Sequence, residues 1–455
     1  MAMEDALLEI GSDDAVTVDG ETLDVADVLR ACPTPDNCGV EVTTCARQSG
    51  WCATRARVLR TRTLRVRDGG ATAKHLNQLQ RRLNPDAPRK LLVIINPAGG
   101  TGRAQKVFER DVAPVFYAAH IETDVVITTS QGDATERCRL VAAAPQVMYD
   151  GIVVVGGDGT LSEVVRGLAD GASTHEVPEQ RLRAIRIAHC PGGTGNACHA
   201  SVASAGGDVI GSAVDVAYNV ARGFSSPLGL VRYEFADNRP PFLSFLAMEW
   251  GLVADVDLGS EGFRWLGSLR TTLAAIWYIL RLKRHRATLS WLPCTQPVGE
   301  GGLFAPSRLP PLGAPLPPPW RTERRDETYQ LMMACNVSHV DETTPMAPHA
   351  GLDDGAMHLV YTRLRPGFLA RVDLIDGFLK LDGGKHVHKR SFQSHRCRAL
   401  RLEPAADDTS RTGLDGEEVA SGAIQAEVFP GALRVFCAAP LAAAQHAVAP
   451  AEGAS

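Results

Sequence analysis

Four times between Lys90 and Ala203 the chain passes from a short apolar stretch, through a loop carrying glycine, into a helical pattern. The units are KLLVIINPAGGTGRAQKVFERDVAPVFYAAHI, TDVVITTSQGDATERCRLVAAA, YDGIVVVGGDGTLSEVVRGLADG and LRAIRIAHCPGGTGNACHASVA. Brief continuous apolar strands alternating with helices predict a parallel sheet covered on both faces. In such a sheet a ligand sits beyond the carboxyl ends of the strands, and the glycine loops all fall there.

The third unit is the most informative. Ile152, Val153, Val154 and Val155 read as a central strand, followed by Gly156, Gly157, Asp158 and Gly159. Glycine permits tight backbone geometry and close approach of a ligand. Asp158 is expected to project from the loop before a helix beginning near Leu161, whose free N–H groups favour anionic groups. A bland alternative is that Asp158 only caps that helix. Two neighbouring loops weigh against it. In NPAGGTGR, Asn96 and Pro97 leave the strand, and Gly99, Gly100 and Gly102 can nest a phosphate; no GK[ST] follows, so this is not a Walker loop. In PGGTGNA, Gly192, Gly193, Thr194, Gly195 and Asn196 open another helix. Three such loops at successive strand ends point to a nucleotide polyphosphate. Phosphoryl transfer needs charge neutralisation, in-line placement and a base near the acceptor hydroxyl. Asp158 is placed to be that base or to orient the hydroxyl. Magnesium is expected on the ATP phosphates, mostly through water and substrate; no motif marks its protein ligands.

After Phe224 the pattern changes. SPLGLVRYEF, PFLSFLAMEWGLVADVDL, ATLSWL, YQLMMACNVSHV, AMHLVYTR, CRALRLEP, IQAEVF and LRVFC are strand-like with few helices between them, which predicts a second, largely antiparallel domain. The expected organisation is an accessory segment over 1–88, an α/β nucleotide domain over 89–224, and an antiparallel domain over 225–437. The last strand of that domain can return to the first. A proline-rich insertion over 294–326 reads as a disordered loop, and 438–455 as a frayed tail.

Bulk properties narrow the class. The 455 residues carry a formal charge of −5, which gives no nucleic-acid footprint. Eleven cysteines are scattered without CxxC pairs, as expected of reduced, intracellular thiols. The acidic N-terminus lacks the basic start of a secretory signal. The nearest apolar run, TTLAAIWYIL, is closed off by Arg270 and Arg281 and is too short to span a bilayer. A cytoplasmic protein touching membrane only at its surface is expected. His386 and His388 are two residues apart, and with no further ligand in sight they read as an ordinary strand surface.

Together, NPAGGTG, GGDGTLSEV and PGGTGNA resemble the diacylglycerol kinase catalytic superfamily, which shares the GGDG turn with NAD kinases and ATP-dependent phosphofructokinases. FLAMEWGLVADVDLGSEGFRWLGSLRTTL, MAPHAGLDDGAMHLVYTR and GLDGEEV narrow the resemblance to sphingosine kinases, over roughly Lys90 to Cys437. The resemblance implies a phosphofructokinase/NAD-kinase-like parallel-sheet domain followed by an antiparallel β-sandwich lipid-binding domain. It implies ATP and Mg2+ as cofactors and a sphingoid base as the lipid substrate. Asp158 then matches the acid that activates the primary hydroxyl, with Gly156, Gly157 and Gly159 lining the reacting end. Asn96, Pro97 and Ala98 match the first ATP loop, and Thr128, Thr129, Ser130, Gln131 and Gly132 match the segment beside the adenosine. Glu163 and the run Gly193, Thr194, Gly195 match further nucleotide contacts. Arg264 and Arg270 match two arginines that reach the phosphates. Asp415, Gly416 and Glu417 match a late DGE motif returning to the nucleotide, and Asp257 matches the carboxylate that holds the sphingoid head group. Ala98 and Thr101 stand where animal sphingosine kinases tend to carry basic residues, and TTSQGD lacks the usual arginines.

The residues themselves bear on the substrate. A cationic amine in a low-dielectric pocket needs a paired anion, and Asp257 lies between apolar neighbours. On a regular strand Asp255 would share its face, so either can be the partner. A predicted helix over 262–283 sets Leu266, Leu269, Leu273, Ile276 and Leu280 at three-and-four spacing, as a core stripe or as a wall for the lipid chain. LRLKRHR at its end can meet anionic membrane or simply solvent. Ceramide or diacylglycerol kinase is the alternative within enzymes. Outside lipid kinases, a kinase of soluble metabolites or a non-catalytic lipid-binding protein remains. Oligomeric state is not legible.

Overall fold

The computed structural model describes residues 8–10, 16–18, 21–47, 56–66, 68–100, 102–237, 239–259, 285–295, 301–323, 327–363 and 368–438. Thr101, Arg264, Arg270 and the predicted helix over 262–283 lie outside the described residues.

The first module holds two small antiparallel sheets: β1 (Leu8–Ile10), β2 (Val16–Val18) and β3 (Glu21–Thr22), then β4 (Val28–Pro33), β5 (Gly39–Arg47) and β6 (Arg57–Arg65). Helix α1 (Gly69–Leu83) closes them, capped by Asp68, which accepts from Ala71 N at 3.0 Å. Val40, Val42 and Leu64 pack with Leu76 and Leu79 of the helix into a core of their own.

The parallel sheet expected from the repeat is present in the order β10-β9-β7-β8. Its strands are β7 (Lys90–Ile95), β8 (Glu122–Ile127), β9 (Gly151–Gly156) and β10 (Arg186–Pro191). Alternate residues feed two cores. Leu92, Ile94, Ile152 and Val154 pack under α4 (Asp133–Ala143) and α5 (Asp158–Ala172). Leu91, Val93, Val153 and Val155 pack on the other face against Phe108, Val112, Val115 and Phe116. The last four lie in the stretch of α2 (Ala104–Val107), a π turn and α3 (Ala113–Ala118). Strand β8 departs from the buried pattern. It is the edge strand, and Val125 and Ile127 are 44% and 45% exposed; an apolar run cannot by itself distinguish a central strand from an edge one. Helices α6 (Pro178–Arg183), α7 (Ala197–Gly206) and α8 (Ala213–Arg222) complete this layer.

The second domain is antiparallel, as predicted. It comprises β11 (Ser225–Phe235), β12 (Phe242–Ser244), β13 (Ala247–Gly251), β14 (His285–Pro293), β15 (Arg321–Thr322), β16 (Glu327–Cys335), β17 (Met357–Arg363), β18 (Phe392–Pro404), β19 (Thr412–Leu414), β20 (Glu417–Val419) and β21 (Ile424–Phe436). Trp250, Tyr233, Tyr329, Tyr361 and Leu400 fill its interior. Strand β21 crosses back: Arg434 and Val435 pair in parallel with Arg186 and Ile187 of β10, so one hydrogen-bonded sheet runs through both domains.

Three local expectations are corrected. ADVDL is not a strand: residues 252–259 form helix α9 (Leu252–Gly259). On a helix, positions two apart do not share a face as they do on a strand. The side chain of Asp257 lies outside the described set. The proline-rich stretch is packed over 301–323 rather than disordered. Leu303 is buried, Arg232 Nη1 donates to the carbonyls of Leu303 (2.8 Å) and Ala305 (2.7 Å), and the guanidinium of Arg401 donates to those of Pro310, Pro311 and Ala314. Buried guanidinium groups need such acceptors, and the segment supplies them. His386 is not on a strand surface; it is buried in a 3-10 turn, its Nε2 2.9 Å from the Met346 carbonyl.

None of the ten described cysteines is in a disulfide. No helix among the described residues is long and apolar enough to cross a membrane.

Candidate active site

Strands β7, β9 and β10 end on one edge of the sheet, and the loops that follow touch one another. In the first loop the side chain of Asn96 makes the turn. Its Oδ1 accepts from Ala98 N (3.0 Å) and Gly99 N (3.1 Å), while Nδ2 donates to Thr160 Oγ1 on α5 (2.9 Å). Gly100 has a φ of +56°, and a Cβ there would lie 2.7 Å from the Gly193 carbonyl carbon. A Cβ on Gly193 would in turn lie 2.4 Å from Gly157 Cα. These glycines are needed for backbone-to-backbone contact among the loops, a requirement separate from any phosphate.

The loop after β8 is held from below. Asp133, at the start of α4, accepts from Thr129 N and Oγ1 (both 2.7 Å) and from Ser130 N (2.9 Å) and Oγ (2.8 Å). These bonds, the Thr129 hydroxyl first, hold its carboxyl well below the usual carboxylate range. Gly132 N donates to Glu163 Oε2 (3.1 Å). Glu163, expected at the nucleotide, therefore also ties α5 to the second loop. Thr128 is buried beneath this loop and Gln131 is exposed.

Asp158 is the first residue of α5, three positions earlier than the sequence reading placed the helix start. It does not cap its own helix. Oδ2 accepts from Ala197 N (2.9 Å) and Oδ1 from Cys198 N (3.0 Å), so its carboxylate sits on the N-terminus of α7. Its side chain is 13% exposed, and His189 Nδ1 lies 3.8 Å from Oδ1. In the third loop Asn196 has a φ of +53° and closes the turn: Oδ1 accepts from Gly193 N (2.9 Å), and Nδ2 donates to Gly193 O (3.1 Å) and to Glu342 Oε1 (2.7 Å). Thr194 is exposed at the tip. Glu342 arrives from the second domain and binds the residue just before the two amides that hold Asp158.

The DGE hairpin also joins the domains. Asp415 is buried with a φ of +52°. Its carboxylate accepts from Ser244 Oγ (2.5 Å) and from the amides of Phe245, Leu246 and Ala247 (each 3.1 Å). It shapes the bend between β12 and β13, and its charge is felt by Cys198, whose amide holds Asp158. Burial pushes it up to about 6, against the lowering effect of those four bonds. Glu417 pairs with Arg166 of α5 at 3.0 Å, linking hairpin to nucleotide domain. Gly416, φ +80°, makes the turn between them.

Sequence reasoning missed His189, Thr160, Arg166, Glu342 and Asp133. Asp133 had a local signal, an acid opening a helix after threonine and serine. The others are brought in by contacts between distant segments. Among the described residues no three potential ligands gather to hold a metal ion, and Glu163, Glu417 and Glu342 are each engaged by a neighbour.

With a half-buried, amide-held carboxylate among glycine loops at the carboxyl edge of a parallel sheet, and an antiparallel domain joined to it strand-to-strand, the chain is a lipid kinase of the diacylglycerol kinase superfamily. Residues 90–226 match the diacylglycerol kinase catalytic domain, and residues 322–437 match the YegS C-terminal NAD kinase beta sandwich-like domain. Sphingosine kinase 1 of Homo sapiens is 31% identical over 367 residues, covering 75% of this chain and 89% of that protein. The chain belongs to the sphingosine kinase family. Ceramide kinase of Homo sapiens is 32% identical over 224 residues, covering 47% of this chain and 39% of that protein. The fold matches a putative diacylglycerol kinase from Bacillus anthracis with a TM-score of 0.53 at 18% identity, over 77% of this chain and 96% of that one. As a kinase of this superfamily the chain uses ATP.

Proposed function

We propose that the chain transfers the γ-phosphate of ATP to the primary hydroxyl of sphingosine or a related sphingoid base, with Asp158 receiving or aiming the hydroxyl proton. The observation that carries this reading is the setting of Asp158. Its carboxylate is fixed by the Ala197 and Cys198 amides at the meeting point of three strand-end loops, and is still partly open. A base held without freedom to rotate places the acceptor oxygen for in-line attack. The loops of Asn96–Gly102, Thr128–Gly132 and Gly193–Gly195, with Glu163, would surround the nucleotide. Arg264 and Arg270 would add positive charge at its phosphates. Asp415 would act at one remove by shaping the β12–β13 bend, and Glu417 by holding the hairpin on α5.

Mg2+, when bound with ATP, neutralises charge on the transferring phosphates. With the nearby carboxylates already engaged, the ion fits a site made mainly by phosphate oxygens and water, so no protein ligand is assigned. Asp257, on α9 directly after β13, is proposed to pair with the amine of the sphingoid base. Ceramide is an uncharged amide and would not reward that carboxylate. The chain is proposed to collect its lipid by peripheral contact with a membrane surface.

The deciding experiment offers sphingosine, ceramide and diacylglycerol to the full-length protein with labelled ATP. Sphingosine is expected to be the preferred acceptor; phosphorylation of only the neutral lipids would overturn the assignment. Asp158→Asn is expected to abolish turnover while leaving lipid binding in place, and unchanged turnover would remove Asp158 from the mechanism.

A further inference from the structure

His189 lies on β10 directly behind the carboxylate of Asp158, with its side chain 2% exposed. Nε2 is 3.0 Å from the carbonyl oxygen of Gly156. A carbonyl oxygen can only accept, so Nε2 carries the hydrogen. The other ring nitrogen, Nδ1, is buried without a hydrogen-bond partner and lies 3.8 Å from Asp158 Oδ1. In the neutral ring Nδ1 presents a lone pair. A lone pair facing a carboxylate oxygen leaves two acceptors opposed, and they stand about 1 Å beyond hydrogen-bonding range.

Four other titratable groups, Cys198, His199, Asp208 and Asp215, are packed around the ring. His199 of α7 accepts from Gly211 N at 2.8 Å, and its basicity is pushed down to about 3, by burial first and then by His189. Cys198 stays a thiol, because burial, and after it Asp158, holds it well above its ordinary range. Asp208 and Asp215 line the same small cavity as His189. Each is engaged elsewhere, Asp208 by Arg47 and Asn219, and Asp215 by Arg57.

The two α7 amides fix Asp158 but, being donors, offer no acceptor for a proton on it. We propose that His189 is a positioning residue that supplies this acceptor: its Nδ1 lone pair takes a hydrogen bond from Asp158 once the carboxyl has received the proton. The inference rests on Asp158 being the base. In the step, the alcohol O–H bond breaks as its oxygen bonds the γ-phosphorus. The bond from that phosphorus to the β–γ bridging oxygen breaks and ADP leaves. The proton passes to Asp158 Oδ1, is held against Nδ1, and is lost to water before the next turnover.

The test measures kcat and KM for sphingosine and ATP from about pH 5 to about pH 9 in the full-length protein and in His189→Leu, His189→Asn and Asp158→Asn. Leucine removes the acceptor; asparagine keeps an oxygen near the position of Nδ1. The leucine variant is expected to lose about ten-fold or more in kcat with both KM values nearly unchanged, and its acid limb is expected to move to lower pH. The asparagine variant is expected to recover most of both. An acid limb that stays in place or moves to higher pH in the leucine variant overturns the proposal. If the leucine variant does not fold, 15N NMR of the histidine rings in the unsubstituted protein decides. The neutral Nε2–H form of His189 near neutral pH supports the proposal, and an imidazolium there overturns it. An inactive Asp158→Asn beside an unaffected leucine variant sinks only the role of His189, whereas an active Asp158→Asn sinks the reading of the base itself.

Discussion

At the scale of single residues, two amide-held acids contrast in their surroundings. Asp158 keeps an open face and accepts only two amides; Asp415 is closed in and accepts four donors. Asp415 carries a prediction about stability. Its folded value of about 6 lies above the ordinary carboxylate range, so the folded state holds the proton more tightly than the unfolded chain does. The stability this provides is complete below about pH 4 and is lost as pH rises through about 6, a change of roughly 2–3 kcal/mol. Urea unfolding of the protein and of Asp415→Asn should therefore show a stability difference that shrinks between those limits; a difference that grows with pH contradicts the assignment. The meeting of GGDG with its two flanking loops was legible because glycine recurs at three strand ends, but the sequence could not show that several of these glycines serve contact between the loops. His189, Arg166 and Glu342 were not, because their meaning comes from partners far away along the chain. The motif around Asp415 was legible, but its four bonds to the β12–β13 bend were not, because those donors lie some 170 residues earlier in the chain.

At the scale of elements, the loops act as a stacked set. Gly193 of the third loop packs against Gly100 of the first and Gly157 of the turn after β9, and a side chain there would strike the Gly157 backbone, which cannot turn aside. Gly193→Ala is expected to cost about 1–3 kcal/mol of stability and to raise the KM for ATP more than it lowers kcat. A mutant with ordinary ATP affinity would show that the stacking does not shape the nucleotide site. The pair Arg166–Glu417 is a contrasting case. Both side chains are over a third exposed, so Glu417→Ala is expected to change stability by less than about 1 kcal/mol, and any larger loss of activity in that mutant must come from the hairpin's placement. The repeat made the parallel sheet readable, because strands buried on both faces leave an unbroken apolar record. It could not mark β8 as the edge. Nor could it mark Leu252–Gly259 as a helix: ADVDL is too short for either period to declare itself. The proline-rich stretch misled for a different reason, since its anchors, Arg232 and Arg401, lie in strands elsewhere in the chain.

At the scale of the whole molecule, three modules are joined by two unlike seams. The accessory module is pinned through Arg57, which stacks 3.6 Å over the ring of Tyr218 and donates through Nη1 to Asp27 (2.5 Å), while its backbone N–H reaches Asp215 (3.1 Å). Arg57→Ala would leave Asp215, 1% exposed, without that guanidinium, and removing one partner of a buried pair costs about 3–5 kcal/mol. The expected result is earlier loss of the accessory module on heating, read as protease cleavage within residues 1–88 while ATP-dependent turnover persists. The other seam is covalent in sequence and continuous in hydrogen bonds. Strand β21 belongs to the antiparallel domain through β11 and β18, and to the nucleotide sheet through β10. Its penultimate residues divide between the two cores of the nucleotide sheet, Val435 packing on one face and Phe436 on the other. The catalytic layer therefore cannot complete its core until the last strand of the lipid-side domain is in place, and the two domains should melt together. Phe436→Ala, at a position 3% exposed, is expected to lose about 3–5 kcal/mol. Calorimetry should record one transition for both domains, moved down as a unit; two separated transitions, with only the nucleotide domain displaced, would mean that the shared strand does not couple them.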